Sequence, residues 1–279
     1  MLIPQHVQIE LTNVCNNSCK YCPHRIMKRK QEFMTIENYR KILVKCKEEG
    51  VKIISPFLNG ESALHPKFIE ALRMTKEMGF VLYLFDNMSL IDKQISDTIL
   101  EIFTEGDYLN MSLDTVNEET YKIVRGEGML FGKTMENVDY FLDKFVEQKS
   151  KFMVGVQQIK CAETDNKLEI EFFIDYYSKW SGPNYKILSQ APMMNWAGVI
   201  TSYKKTGAEE NKSCIRLTRD MAILVNGDVA LCCVDYEGIH KLGNIYEQSI
   251  EEIFNSKQYD KFRKEFPQGL CKECNARWQ

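Results

Sequence analysis

The sequence predicts an α/β fold: an incomplete parallel (β/α)6 barrel followed by a small domain of one β-hairpin plus helix. Three observations lead there. Short apolar runs recur through the first three quarters of the chain, separated by helical-period stretches of ten or more residues, as parallel strands joined by right-handed crossovers require. About six such units fit before residue 205, and eight do not. The pattern then changes to two apolar runs about Asn226-Gly227, a hairpin signal because both turn positions favour positive φ. The expected division is 1–205 and 206–279.

The elements follow in order. Val7 to Leu11 alternates with period two and reads as a strand. Thr35 caps a helix carrying Tyr39, Ile42, Leu43 and Cys46 on one face, ended by Gly50. Val51 to Leu58 is a second strand, and Pro66 opens a helix that Gly79 ends. Strands at 80–85, 108–113, 152–159 and 185–188 alternate with helices at 91–103, 131–145 and 168–179. The polar stretch Lys204 to Lys212 reads as a loop, and a last helix spans about Ser249 to Phe262. The whole is a partial TIM-like barrel with an appendage.

Hydrophobic residues make up 44% and charged residues 27% of 279, with net charge -3, so a sizeable core fits and a nucleic-acid partner is disfavoured. No apolar run approaches the roughly 20 residues of a membrane span, and the N-terminus lacks signal-peptide features. A cytoplasmic location is the expectation. The ten cysteines cluster at the two ends, with Cys46 and Cys161 alone, which predicts two metal sites. Lys28-Arg29-Lys30 reads as a solvated face.

The first site is Cys15, Cys19 and Cys22, directly after strand one, at the end where parallel barrels build active sites. Three thiolates at this spacing can each hold one iron of a 4Fe–4S cubane and leave the fourth iron open. The alternative is zinc with a further ligand such as His24. This triad resembles the radical S-adenosylmethionine (SAM) superfamily. The resemblance implies that the open iron chelates SAM and that reduction yields a 5′-deoxyadenosyl radical. It also implies roles for further residues. Tyr21 matches an aromatic near the adenine. Asn59-Gly60-Glu61 is similar to a Gly-Gly-Glu segment that holds the SAM ammonium, with Asn59 in place of the usual Gly. Ser112-Leu113-Asp114 is similar to a segment at the ribose and carboxylate, and Arg125 to an arginine that pairs with the carboxylate. Asp86-Asn87-Met88 stands where many relatives have Thr-Asn-Gly, and only Asn87 is kept.

Cys214, Cys232 or Cys233, Cys271 and Cys274 can supply four thiolates to the second site. Strand alternation points Cys232 and Cys233 to opposite faces, so one of them binds, and Cys232 is favoured. The segment resembles the auxiliary iron–sulfur domains called SPASM with two clusters and Twitch with one, and its five cysteines suit one. Four thiolates close a cluster to substrate, which makes it an electron acceptor; structural zinc is the alternative.

Three reactions compete. The cysteine placement resembles aminocyclitol dehydrogenases of the 2-deoxy-scyllo-inosamine type, which implies oxidation of a secondary alcohol on a small polyol, aminocyclitol or sugar. Epimerisation would use a thiol hydrogen donor, for which Cys161 after strand five is the candidate. Peptide modification is less favoured, because no leader-binding module precedes Val7. A flavodoxin- or ferredoxin-type electron donor is also implied. A non-catalytic electron carrier or zinc scaffold would explain the cysteines but not the motifs at successive strand ends.

Overall fold

In the computed structural model, which describes residues 2–126, 130–200 and 213–275, the chain enters β1 (His6–Ile9) and builds six parallel strands. Helix α1 (Ile36–Glu48) follows, capped by the Thr35 side chain accepting from the Asn38 amide at 3.2 Å. Then come β2 (Ile53–Ser55), α2 (Phe68–Glu77), β3 (Val81–Asp86), α3 (Lys93–Ile102) and β4 (Tyr108–Ser112). Helix α4 (Glu118–Arg125), α5 (Phe131–Glu147), β5 (Met153–Ile159), α6 (Lys167–Tyr177) and β6 (Tyr185–Ala191) complete the barrel part.

Beyond 213 lie α7 (Arg216–Arg219), β7 (Asp220–Ile223), β8 (Asp228–Ala230), β9 (Gly243–Asn244), α8 (Ile250–Phe254) and α9 (Lys257–Lys264). The expected hairpin is present, with Ala222 opposite Ala230. It does not stand apart. Strand β7 pairs in parallel with β1, Val7 beside Met221, so one sheet runs in the order β6-β5-β4-β3-β2-β1-β7-β8-β9.

Alternation within each strand sorts the residues. Val7, Ile9, Ile54, Leu82, Leu84, Leu109, Met111, Val154 and Val156 are fully buried in one core cluster with the helices. Each such side chain contributes about 1.5–3 kcal/mol by leaving water. The opposite face carries His6, Gln8, Tyr83, Phe85, Tyr108, Ser112 and Gln157, all half-buried. This concave, largely polar face leads to the carboxyl ends of the strands.

Three expectations change. The helix expected over Ser249 to Phe262 is two helices, because Ser256 caps a new one by accepting from the Tyr259 amide. Helix α4, not expected from the apolar pattern, starts at the Asn117 cap. Arg29 is not on a solvated face. Its guanidinium forms two bonds of 2.8 and 2.7 Å to the fully buried Glu10. The expected boundary at 205/206 and the polar stretch 204–212 lie outside the described residues. No described helix is long and apolar enough to cross a membrane.

Candidate functional site

Cys15, Cys19 and Cys22 lie on the loop leaving β1, and the ends of the next four strands meet that loop. From β2, the Glu61 amide donates to the Val14 carbonyl at 2.8 Å. Gly60, with φ of +108°, lies so close that a Cβ there would stand 2.7 Å from the carbonyl oxygens of Thr12 and Val14, so only glycine fits. From β3, Asn87 donates through Nδ2 to Asn16 Oδ1 at 3.0 Å. From the end of α4, the carbonyls of Val124 and Arg125 accept from Lys20 and Ser18, so the cysteine loop satisfies carbonyls that the helix end leaves free.

Asn59 has a structural reason to replace glycine. Its Nδ2 donates to Glu10 Oε1 at 3.0 Å. Glu10 Oε2 also accepts from the Val225 amide, and Arg29 Nε donates to the Tyr236 carbonyl. This buried tie joins β1, the Asn59 turn and the C-terminal hairpin. No local sequence signal marks it, since its members lie far apart in the chain.

Glu61 is buried, and its oxygens accept from the amides of Ala63 and Asn87. Burial first, then the facing Asp86 carboxyl, holds its pKa well above the ordinary value, and Asp86 is also raised by burial. Asp86 Oδ2 finds no donor, as expected for two carboxyls that need a shared proton or a nearby cation. Met88 stands at φ of +63°, a left-handed conformation that favours glycine and is uncommon for other residues.

Asp114 is fully buried and accepts from Tyr21 Oη at 2.5 Å and from the Ile159 amide at 2.9 Å. Arg125 Nε lies 2.7 Å from Asp114 Oδ2. This contact is electrostatic rather than a well-directed hydrogen bond, since Nε, like Nη2, has no hydrogen-bond partner. Arg125 Nη1 donates to Cys19 Sγ at 3.7 Å, and its guanidinium lies 5.9 Å from the Tyr21 ring centre. Ser112 faces the concave side, beside Asn110. Cys161 is buried with Val124 and Met193, and Tyr21 packs on this group. Its Sγ lies 3.4 Å from Thr164 Oγ1.

Burial pushes the Cys15 and Cys22 thiols up to about 12. They stay protonated at neutral pH unless a metal ion displaces the proton. Around them Asn17 Oδ1, Asn17 Nδ2 and Arg125 Nη2 are buried polar atoms without hydrogen-bond partners. Thiols that need a cation, beside donors that need acceptors, fit a cluster carrying an anionic ligand.

At the second site Cys214, Cys232, Cys271 and Cys274 line one cavity with Arg216 and Val234, and Cys233 is not on that wall. Among the described residues no three Cys, His, Asp or Glu side chains converge as ligands of one ion. Tetrahedral zinc would bring its sulfurs to about 3.8 Å of one another, given Zn–S bonds of about 2.3 Å. A cubane spreads its thiolates over separate irons and holds them further apart. Trp196 touches both regions: Nε1 donates to the Tyr21 carbonyl at 2.9 Å, and the residue packs against the buried cluster of Val234 and Cys274. Neighbouring Asn195 is tied to the Glu273 carbonyl and Asn275. A broader surface groove along Glu37, Lys41, Val44 and Tyr246 carries none of these residues.

The family profile of the Radical SAM superfamily matches residues 9–160, more than half of the 279 residues, and that of an iron–sulfur cluster-binding domain, SPASM, matches 214–275. The chain belongs to the radical SAM superfamily. It is a radical SAM enzyme whose cofactors are SAM and two 4Fe–4S clusters.

Among its relatives is the S-adenosyl-L-methionine-dependent 2-deoxy-scyllo-inosamine dehydrogenase of Niallia circulans, 23% identical over 96% of this chain and 92% of that protein. The crystal structure of BtrN in complex with AdoMet and 2-DOIA superposes with a TM-score of 0.67 at 18% identity, covering 98% of this chain and 93% of that one. The antilisterial bacteriocin subtilosin biosynthesis protein AlbA of Bacillus subtilis (strain 168) is 23% identical over 91% of this chain but only 60% of its own length. At such identities the structural likeness carries the partial-barrel fold alone.

Proposed function

We propose that the protein oxidises a secondary alcohol of a small polyol, aminocyclitol or sugar to a ketone. Cys15, Cys19 and Cys22 hold the SAM-binding cluster, and Cys214, Cys232, Cys271 and Cys274 hold the auxiliary one. Glu61 and Asp86 meet the SAM ammonium, whose positive charge suits a pair of carboxyls without a cation. Arg125, positioned by Asp114 and Tyr21, offers Nη2 to the SAM carboxylate. Asn87 holds Glu61 and the cysteine loop in place, and Ser112 faces the concave substrate side.

A cluster held there with SAM would supply a 5′-deoxyadenosyl radical able to take the carbinol hydrogen, and oxidation to the ketone would then require loss of the hydroxyl proton and one electron. The four thiols lining the second cavity would hold a cluster with no open iron, and that cluster would take the electron without binding substrate. This is the observation that carries the reading. The full-length match to a dehydrogenase of similar size supports it. The first electron comes from a flavodoxin- or ferredoxin-type donor.

The test is anaerobic incubation of the reduced protein with SAM and a panel of cyclitols, aminocyclitols and sugars. Ketone and 5′-deoxyadenosine formed one for one support the proposal; 5′-deoxyadenosine without ketone from any of them contradicts it. One observation favours a second reading, epimerisation: Cys161 shares with Val124 and Met193 the buried cluster on which Tyr21 of the first site packs, and from there its thiol would return a hydrogen atom. In that case Cys161→Ala removes epimer formation and leaves SAM cleavage intact.

A further inference from the structure

We propose that the side-chain amide of Asn17 is a contact of the N-terminal cluster, Nδ2–H donating to one of its sulfurs and thereby raising its reduction potential. The inference rests on the assignment of Cys15, Cys19 and Cys22 as ligands. Asn17 lies between two of them and is turned inward, 6% exposed, while Asn16 and Ser18 on either side are exposed. Its backbone amide donates to Cys15 Sγ at 3.4 Å, which puts the residue beside a ligand sulfur.

Neither Oδ1 nor Nδ2 has a hydrogen-bond partner. Neighbouring amides of the same region are paired: Asn13 with Lys30 and Glu32, Asn16 with Asn87 and Ser89, Asn59 with Glu10. Asn17 is the exception in a well-bonded loop. A buried amide left without partners is costly, and native structures seldom keep one. The group that completes it must bind inside the loop and offer an acceptor to Nδ2. Cluster sulfides and thiolates are acceptors. Hydrogen bonds to those sulfurs disperse the negative charge gained on reduction, so they raise the potential.

The test is a potentiometric titration of the holoenzyme, followed by the EPR signal that changes when SAM is added. Asn17→Ala is expected to shift the reduced-to-oxidised ratio about tenfold towards oxidised, which is 59 mV for one electron. Asn17→Ser, which keeps a donor, should lie nearer the parent, and the auxiliary signal should not move. An unchanged midpoint in Asn17→Ala at full iron content overturns the proposal. Should the alanine variant lose iron, Asn17→Leu decides, because leucine keeps the approximate shape without a donor and without adding a charge. A lower midpoint there supports the contact, and an unchanged one overturns it. A parent protein without any SAM-responsive signal would strike at the ligand assignment instead, which separates the two failures.

Discussion

The two cysteine sites share one ligand chemistry and differ in how the chain builds them. The first takes three thiols from Cys15 to Cys22, a single loop leaving β1, and has beside them Arg125 and Asn17, whose side chains keep buried polar atoms without hydrogen-bond partners. The second gathers Cys214, Cys232, Cys271 and Cys274 from separate segments and closes them in with Arg216 and Val234. A three-thiol site on one loop is encoded locally and would leave one iron of its cluster for chemistry. A four-thiol site assembled by tertiary folding would leave no such vacancy, which suits the electron-accepting role proposed for it.

The largest effects should separate the sites by what they abolish. Cys19→Ala should suppress 5′-deoxyadenosine formation by well over the roughly 10–100-fold that loss of an outer-shell partner costs a metal site. Cys271→Ala should retain most SAM cleavage and lose ketone formation. Chromatographic assay of both products checks this, and equal loss of both in the two variants would break the distinction. Within the second site, Cys232→Ala should lower iron from about eight to about four per chain, and Cys233→Ala should leave it unchanged. Iron analysis of reconstituted protein decides which thiol is the ligand.

Glycine replacements test how tightly the first site is packed. At Gly60 a Cβ would meet two carbonyl oxygens at 2.7 Å, so Gly60→Ala should cost at least about 1–3 kcal/mol and impair SAM cleavage. Gly50 also has positive φ, +79°, but a Cβ there would meet nothing within 4 Å, so Gly50→Ala should cost only about 1–2 kcal/mol and leave cleavage intact. Thermal melts of the two variants give the comparison.

The smallest effect concerns pH. Glu61 and Asp86 ionise above their ordinary range in the fold, so between the ordinary and raised values the folded state holds protons that the unfolded chain has released. Stability from this pair is therefore present at low pH and lost as pH rises. Asp86→Asn removes one charge, keeps Oδ1 for the Met88 amide and gives Glu61 a donor. It should raise the melting temperature of SAM-free protein by about 2–6 °C at pH 8, with little change at pH 4, and weaken SAM binding. Melts at the two pH values check the sign.

Much of the barrel was legible because strand and helix periods are local. Val7 to Leu11 and the alternating runs after it announce their elements without reference to distant residues. What the sequence did not disclose is long-range. Nothing near Met221 says that β7 joins β1 rather than the opposite edge. Arg29 sits in a basic triplet and reads as surface until Glu10, 19 residues away in sequence, is seen beneath it. Helix α4 has only three buried residues, Tyr121, Val124 and Arg125, too few for a periodic stripe. The site motifs were found through resemblance at the strand ends, whereas Asn17 and Asp86 matter for what they lack or face, which only coordinates reveal.

The division of labour between the sites requires an iron that SAM can reach in the N-terminal cluster and none in the C-terminal one. EPR of the reduced holoenzyme with and without SAM tests this directly. One of two cluster signals should change on SAM addition, and that signal should vanish in Cys19→Ala and persist in Cys271→Ala. Two unresponsive signals, or a response that survives Cys19→Ala, would contradict it.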